Sequence, residues 1–466
     1  MPTPPPSSEP LTTSGRTDPP ETGEPGITRR SSYGPTSPEV GVRGATTRRR
    51  VTEAALELFG TDGFFPTSVE AIAKQADVSR ATLYQYFSGK KEIFLELMDE
   101  CAAALVRVSR RIGELGPTEL GFDNLNWWLG EWSWVFEKYR TMFVQWSVVA
   151  SVDSKVRPEV LHFIGGYNQR FATRLSAARL SGIDPVVAAT AMTAVVDRLN
   201  LFLHTGRAHD ADGTDLTSAL STFLQLTLFP ETRATVLNSL SLEPSRWATI
   251  ERPQPPEAEE LALSSRVEGL SRRAVTTVRS LVEAGTVQFG RKGYHRTSVD
   301  DIVGEAGFAR GTFYKYFSEK QDLLRTVCVE TTARTVELAD RLRSVDVFDD
   351  EAMRSWLTEF LGFLDRYRGT RDLWTEQRAE DELVVALGAH AQAVIDSAFA
   401  SLLASVERDY PFDPVAGALI FRALLTRVPE AMREESSPPL SEEQTVDLLL
   451  QCIRRGFFTQ RYLRSF

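Results

Sequence analysis

The chain has 466 residues, 42% of them hydrophobic and 25% charged, with 53 Lys and Arg against 63 Asp and Glu and a net charge of −10. That length predicts two or three domains with a sizeable core, and the acidic balance excludes indiscriminate nucleic-acid binding while leaving a local basic face open. Three widely spaced cysteines, Cys101, Cys328 and Cys452, form no metal spacing and no disulfide framework, which points to a reducing cytoplasmic compartment.

Residues 1–44 are rich in Pro, Ser, Thr and Gly and poor in large apolar side chains, so they read as a disordered tail. No apolar signal-peptide core is seen there. From Thr47 onward helical periodicity dominates. Val51, Ala54, Ala55, Leu58 and Phe59 give one apolar face to a helix over Arg48 to Thr61, which Gly63 can end. Thr67 and Glu70 have capping-box spacing and open a second helix. Asp77 stands where a tight turn needs a residue tolerant of positive φ. Ser79 caps a third helix running to about Phe87, and Ser88 restarts the chain into a long fourth one. Two short helices joined by a turn of about three residues fit a helix-turn-helix.

Residues 96–230 read as a helical domain. Its segment 127–146 holds five of the eight tryptophans, and Trp128, Trp132, Phe136, Phe143 and Trp146 are candidate walls of an apolar cavity. The same aromatic face is equally what a bundle core needs. Val186 to Val196, between Asp184 and Asp197, is the longest aliphatic stretch and is too short to span a bilayer, so no membrane partner is expected. Residues 231–265, with Pro244, Pro253, Pro255 and Pro256, read as a linker.

After the linker the chain repeats itself. Residues 47–90 and 277–320 align without a gap, with 19 of 44 positions identical. Residues 266–325 are thus a second head and 45–95 the first. A second match, Asp184-Pro185-Val186, Ala189, Ala194 and Arg198 against Asp413-Pro414-Val415, Ala418, Ala423 and Arg427, extends the duplication into the helical domain at 326–466. In both copies Asp caps an apolar helix whose first position is Pro. Basic residues gather near each head, among them Arg48-Arg49-Arg50, Lys90-Lys91 and Arg272-Arg273. Within the repeat, Thr297 with Asp300 matches the Thr67 pattern, Gly307 matches Asp77, and Ser318 with Gln321 has capping-box spacing.

The second helix of a helix-turn-helix enters the major groove with its first residues against base edges. In the first head these are Arg80, Ala81, Thr82, Tyr84 and Gln85. Thr67, Tyr86 and Lys90 stand where phosphate contacts are made. The runs Phe59-Gly60-x-x-Gly63, Thr67-Ser68-Val69-x-x-Ile72 and Thr82-Leu83-Tyr84-x-Tyr86-Phe87-Ser88-x-Lys90 resemble the DNA-binding head of the TetR family of bacterial repressors. So does the second copy, ending Thr312-Phe313-Tyr314-Lys315-Tyr316-Phe317-Ser318-Glu319-Lys320.

The resemblance implies an all-α protein of two tandem units. Each would have an N-terminal DNA-binding head and a helical ligand-binding and dimerisation domain, with about nine helices, the last two joining a four-helix interface. The units would pack as a pseudo-twofold pair within one chain, with a further homodimer left open. It also implies operator DNA and a small, largely apolar effector as partners, no cofactor, no metal and no catalysis. Carried over, the second head's contacts are Thr297, Arg310, Gly311, Thr312, Tyr314, Lys315, Tyr316 and Lys320. Ala309 replaces the Ser cap there and Gly311 lies inside the helix, each weakening it by about 1 kcal/mol. Two other readings stay open: a ligand-binding or protein-interaction module whose heads have decayed, and an all-helical enzyme, for which no motif is present.

Overall fold

The computed structural model describes residues 42–152, 157–204, 213–239, 254–375, 381–406, 408, 410 and 412–463. Most of the tail at 1–44 and much of the linker at 231–265 lie outside the described residues. Among those described, all regular structure is helical. The helices are α1 Val42–Thr61, α2 Val69–Gln75, α3 Arg80–Tyr86, α4 Lys90–Arg111, α5 Glu119–Val152, α6 Arg157–Ala177, α7 Pro185–His204, α8 Gly213–Leu228, α9 Ala234–Leu237 and α10 Leu263–Val267. After these come α11 Arg272–Lys292, α12 Val299–Ala306, α13 Arg310–Tyr316, α14 Lys320–Ser344, α15 Asp350–Arg366, α16 Arg368–Thr375, α17 Glu382–Ala404, α18 Pro414–Glu434 and α19 Glu442–Leu463.

The chain divides into two compact units. One holds the described residues up to Leu58 together with Phe65–Glu96, and the other holds Phe59–Phe64 and the described residues from Leu97 onward. In the smaller unit, Val51, Ala55, Ile72, Leu83, Phe87, Ile93 and Phe94 are fully buried. They come from four helices and meet because apolar residues recur at helical spacing on each. Burying each large one contributes about 1.5–3 kcal/mol.

The larger unit contains the second head and both helical domains. The head's core joins Leu281, Phe289, Ile302, Phe313, Phe317 and Leu323 to Leu373 of α16 and Leu387 of α17. Within the domains, α6 packs along α7 and α5 along α8, while α14 packs along α17 and α17 along α18. The two domains meet copy against copy: α7 lies on α18 and α8 on α19. Self-pairing of duplicated elements is what an approximate twofold produces. Phe223 and Phe457 meet there with ring centroids 4.6 Å apart. Gly456 permits this, since a Cβ on it would fall 2.3 Å from the Phe223 ring. The caps are as the sequence predicts: Asp184 accepts from the Val186 and Val187 N–H groups at 2.9 and 3.1 Å, and Asp413 from Val415 N–H at 2.9 Å.

α7 and α17 have the length and composition of a membrane span, beyond the eleven-residue stretch visible in the sequence. Each is 67% buried within the bundle over its apolar window, as core helices are.

Candidate nucleic-acid interface

Both heads build the same turn. Asp77 has φ 51° and Gly307 has φ 72°, the left-handed step between the two short helices. Ser79 Oγ accepts from Thr82 N–H at 3.0 Å and so starts α3, whereas Ala309 offers α13 no side-chain cap. The cap of the preceding helix is one residue later than the Thr-based spacing predicts. Ser68 accepts from Ala71 N–H at 3.0 Å, and Ser298 forms a full capping box with Asp301. Lys292 and the Ser298 groups hold the Asp301 carboxyl below the usual carboxylate range. At the start of α14, Ser318 N–H and Oγ both donate to Asp322, and no capping box with Gln321 forms; the Gln321 amide reaches Asp381 instead.

Displaced from the caps, Thr67 and Thr297 turn inward. Both are buried, and Thr67 Oγ1 donates to Leu58 O at 3.3 Å while Thr297 Oγ1 donates to Gly293 O at 2.8 Å. Both hydroxyls are thus engaged within their own heads. Lys90 and Lys320 also have internal work. Lys90 Nζ donates to Phe65 O and Thr67 O, both at 2.8 Å, and Lys320 Nζ donates to Tyr294 O and Thr297 O, both at 2.8 Å. Burial lowers the pKa of each ammonium. Each lysine latches the segment that leads into the short helices. Lys90→Ala is therefore expected to destabilise the first head by about 1–3 kcal/mol, the range for charged hydrogen bonds. Thermal melts check this. A salt slope lower by one unit with an unchanged melting temperature would instead assign Lys90 to phosphate alone.

What remains outside is the same face twice. Arg80, Ala81, Tyr84 and Gln85 are exposed on α3, as are Arg310, Gly311, Tyr314 and Lys315 on α13. Thr82, Tyr86, Thr312 and Tyr316 are half-buried beside them. Each Arg is held by an acid one helix earlier, Arg80 by Glu70 at 2.5 Å and Arg310 by Asp300 at 2.8 Å. Each also lies over a Tyr ring, 5.4 Å from the Tyr84 centroid and 5.8 Å from that of Tyr314. Glu70 and Asp300 are site members that sequence reasoning missed, although they occupy equivalent places in the repeat. The exposed ion pair is weak and easily exchanged for a base or phosphate. Of the basic run, Arg48 faces inward, its guanidinium 4.3 Å from the Phe87 ring centroid and hydrogen-bonded to Glu96.

Among the described residues, two of the cavities in the helical domains stand out. The first is bordered by Trp132 and Phe143, with Tyr167, Asn168, Asp197 and Arg427. Trp128 and Phe136 do not border it: Trp128 stacks on Phe171 at 4.7 Å and Phe136 on Phe143 at 4.6 Å, so they are core residues. The side chain of Trp146 lies outside the described residues. The second cavity, with about 680 Å³ of empty space partly open to solvent, has walls that include Phe202, Phe360, Phe363, Trp374 and Ile395. No local sequence pattern points to it. Among the described residues, no group of three or more His, Cys, Asp or Glu could hold a metal.

The sequence profile of the family described as bacterial regulatory proteins, tetR family, matches residues 51–97 and 281–327. A candidate regulator of mycofactocin biosynthesis, MftR, of Mycobacterium tuberculosis is 39% identical over 59 residues, 13% of this chain and 30% of that protein. The uncharacterized HTH-type transcriptional regulator YfiR of Bacillus subtilis is 41% identical over 51 residues, 11% of this chain and 24% of its own. This chain thus spans less than a third of the length of either relative. A transcriptional regulator from Aquifex aeolicus VF5 is similar in structure over 38% of this chain and 95% of its own, at 20% identity and a TM-score of 0.31. A tetR-family segment thus opens each of two helical domains that pack copy against copy, and the chain carries two TetR-like heads in tandem.

Proposed function

We propose that the protein is a DNA-binding transcriptional regulator of the cytoplasm, a repressor released from its operator by a small, largely apolar ligand, and not an enzyme. The observation that carries the reading is the repeated exposed face, Arg over Tyr with a small residue beside it, on both recognition helices. An Arg there is free to exchange its acid for guanine O6 and N7.

Support for ligand release comes from α16. Arg371 and Trp374 on this helix border the second cavity, while Leu373 belongs to the core of the second head. Gly369 sits so close to α11 that a Cβ on it would be 2.3 Å from the Phe289 carbonyl group. A ligand that favours a different seat for α16 would move α11 and the head with it.

The two faces differ at Ala81 against Gly311 and Gln85 against Lys315. Gln pairs with adenine, Lys with guanine or phosphate. The operator is therefore expected to be an imperfect inverted repeat. Footprinting followed by selection from random DNA checks this. Recovery of a perfect palindrome as the tightest site would mean that first heads from two chains read the DNA. Absence of salt-dependent DNA binding would favour a module with decayed heads.

A further inference from the structure

α18 repeats α7, yet their cavity-facing residues have diverged in charge. Thr193 and Asp197 of α7 border the first cavity. Their equivalents at the offset of 229, Arg422 and Thr426 of α18, border the second. One carboxylate has gone and one guanidinium has been added. The two equivalent arginines also cross over. Arg427 of the second domain borders the first cavity, and Arg198 of the first domain borders the second.

The consequences differ between cavities. Around the first, Arg427 meets Glu435 and lies 3.9 Å from Asp197, so its charge is answered by acids that also line the space. Burial pushes the Asp197 carboxyl up to about 6, against the pull of Arg427 and Arg198. The second cavity is bordered by Arg198, Arg371 and Arg422, and no carboxylate is among its lining residues. Arg422 has Asp396, outside the lining, at 3.0 Å and Gln392, itself a lining residue, at 3.1 Å. Arg371 donates to Leu364 O at 3.0 Å. Arg198 has Glu430 only at 3.7 Å, and its Nε is buried without a hydrogen-bond partner.

We propose that the second cavity takes an organic carboxylate with an apolar body, its head held by Arg198 from the first domain together with Arg371 and Arg422 from the second. The guanidinium fork matches a carboxylate bidentately, and the phenyl and aliphatic walls accept the body. Burial pushes the Arg371 guanidinium down to about 10 and lowers Arg198 as well, a desolvation that a bound anion relieves. The assignment rests on the reading of this cavity as an effector site only for its regulatory meaning; the binding stands separately.

The test is calorimetric titration of the full chain with straight-chain carboxylates of about six to fourteen carbons and arylacetates, against alcohols of matching length. At least one carboxylate is expected to bind roughly tenfold or more tighter than its alcohol. Arg198→Met and, independently, Thr426→Asp, which restores the acid of the first cavity, should each weaken the carboxylate by about tenfold and leave the alcohol unchanged, while Arg198→Lys keeps part of the affinity. Thermal melts establish that the variants fold. Carboxylates that all bind more weakly than millimolar, alcohols that bind equally well, or indifference to both Arg198→Met and Thr426→Asp would overturn the proposal. A carboxylate that binds with the expected pattern but leaves DNA affinity unchanged would uphold the site and refute the effector reading.

Discussion

Replacing Arg80 by alanine is expected to weaken binding to the specific operator by about 1–3 kcal/mol, roughly ten- to hundredfold, and to relax preference at one base pair. The stability of the head should hardly change. Arg80 is exposed, its partner Glu70 is exposed, and such pairs contribute about 0–1 kcal/mol. The loss can therefore be read as binding. Arg310→Ala is expected to act in the same way at the other half-site, since Asp300 and Tyr314 reproduce the surroundings of Arg80. Competition gel shifts with specific and random duplexes at fixed salt measure both. Equal losses on the two kinds of DNA would confine these arginines to phosphate.

A second large effect is expected at Gly369. A side chain there has no room, because its Cβ would meet the Phe289 carbonyl carbon and oxygen at 2.3 Å and the Gly290 nitrogen at 2.7 Å. These are backbone atoms of α11, which cannot rotate away as a side-chain tip can. Gly369→Val must push α16 off α11 or bend both, and overpacking of this kind costs about 1–3 kcal/mol, occasionally more. Because α16 also borders the second cavity, the variant should lose DNA affinity at the second half-site and respond less to ligand. Thermal denaturation, half-site footprinting and ligand titration read the three effects. A variant with wild-type stability and footprint would show that α16 and α11 separate freely, and the coupling route proposed through α16 would fail.

The heads were legible because the chain states them twice, and identity at a fixed offset singles out what periodicity alone leaves ambiguous. The cap was misplaced by one residue because Thr67 and Ser68 are neighbours and both are competent caps. Only packing decides that Thr67 faces inward. The latch role of Lys90 was hidden for another reason. A long flexible side chain is seen in sequence only as a charge, while its carbonyl partners at Phe65 and Thr67 lie more than twenty residues back. The tryptophan cluster drew attention to the first domain, yet Trp128 and Phe136 serve its core. The second cavity takes its three arginines from α7, α16 and α18, a convergence that no local pattern announces.

The pairing of α7 with α18 and of α8 with α19 inside one chain has a consequence for dosage. Two separate subunits must find each other before they can read a two-part operator, so occupancy falls steeply when copies are few. Here the partner surface is supplied by the same polypeptide, and occupancy should track copy number in simple proportion. If each chain acts singly on DNA, a lesion in one head stays with its molecule, and loss-of-function alleles are expected to be recessive in merodiploid cells.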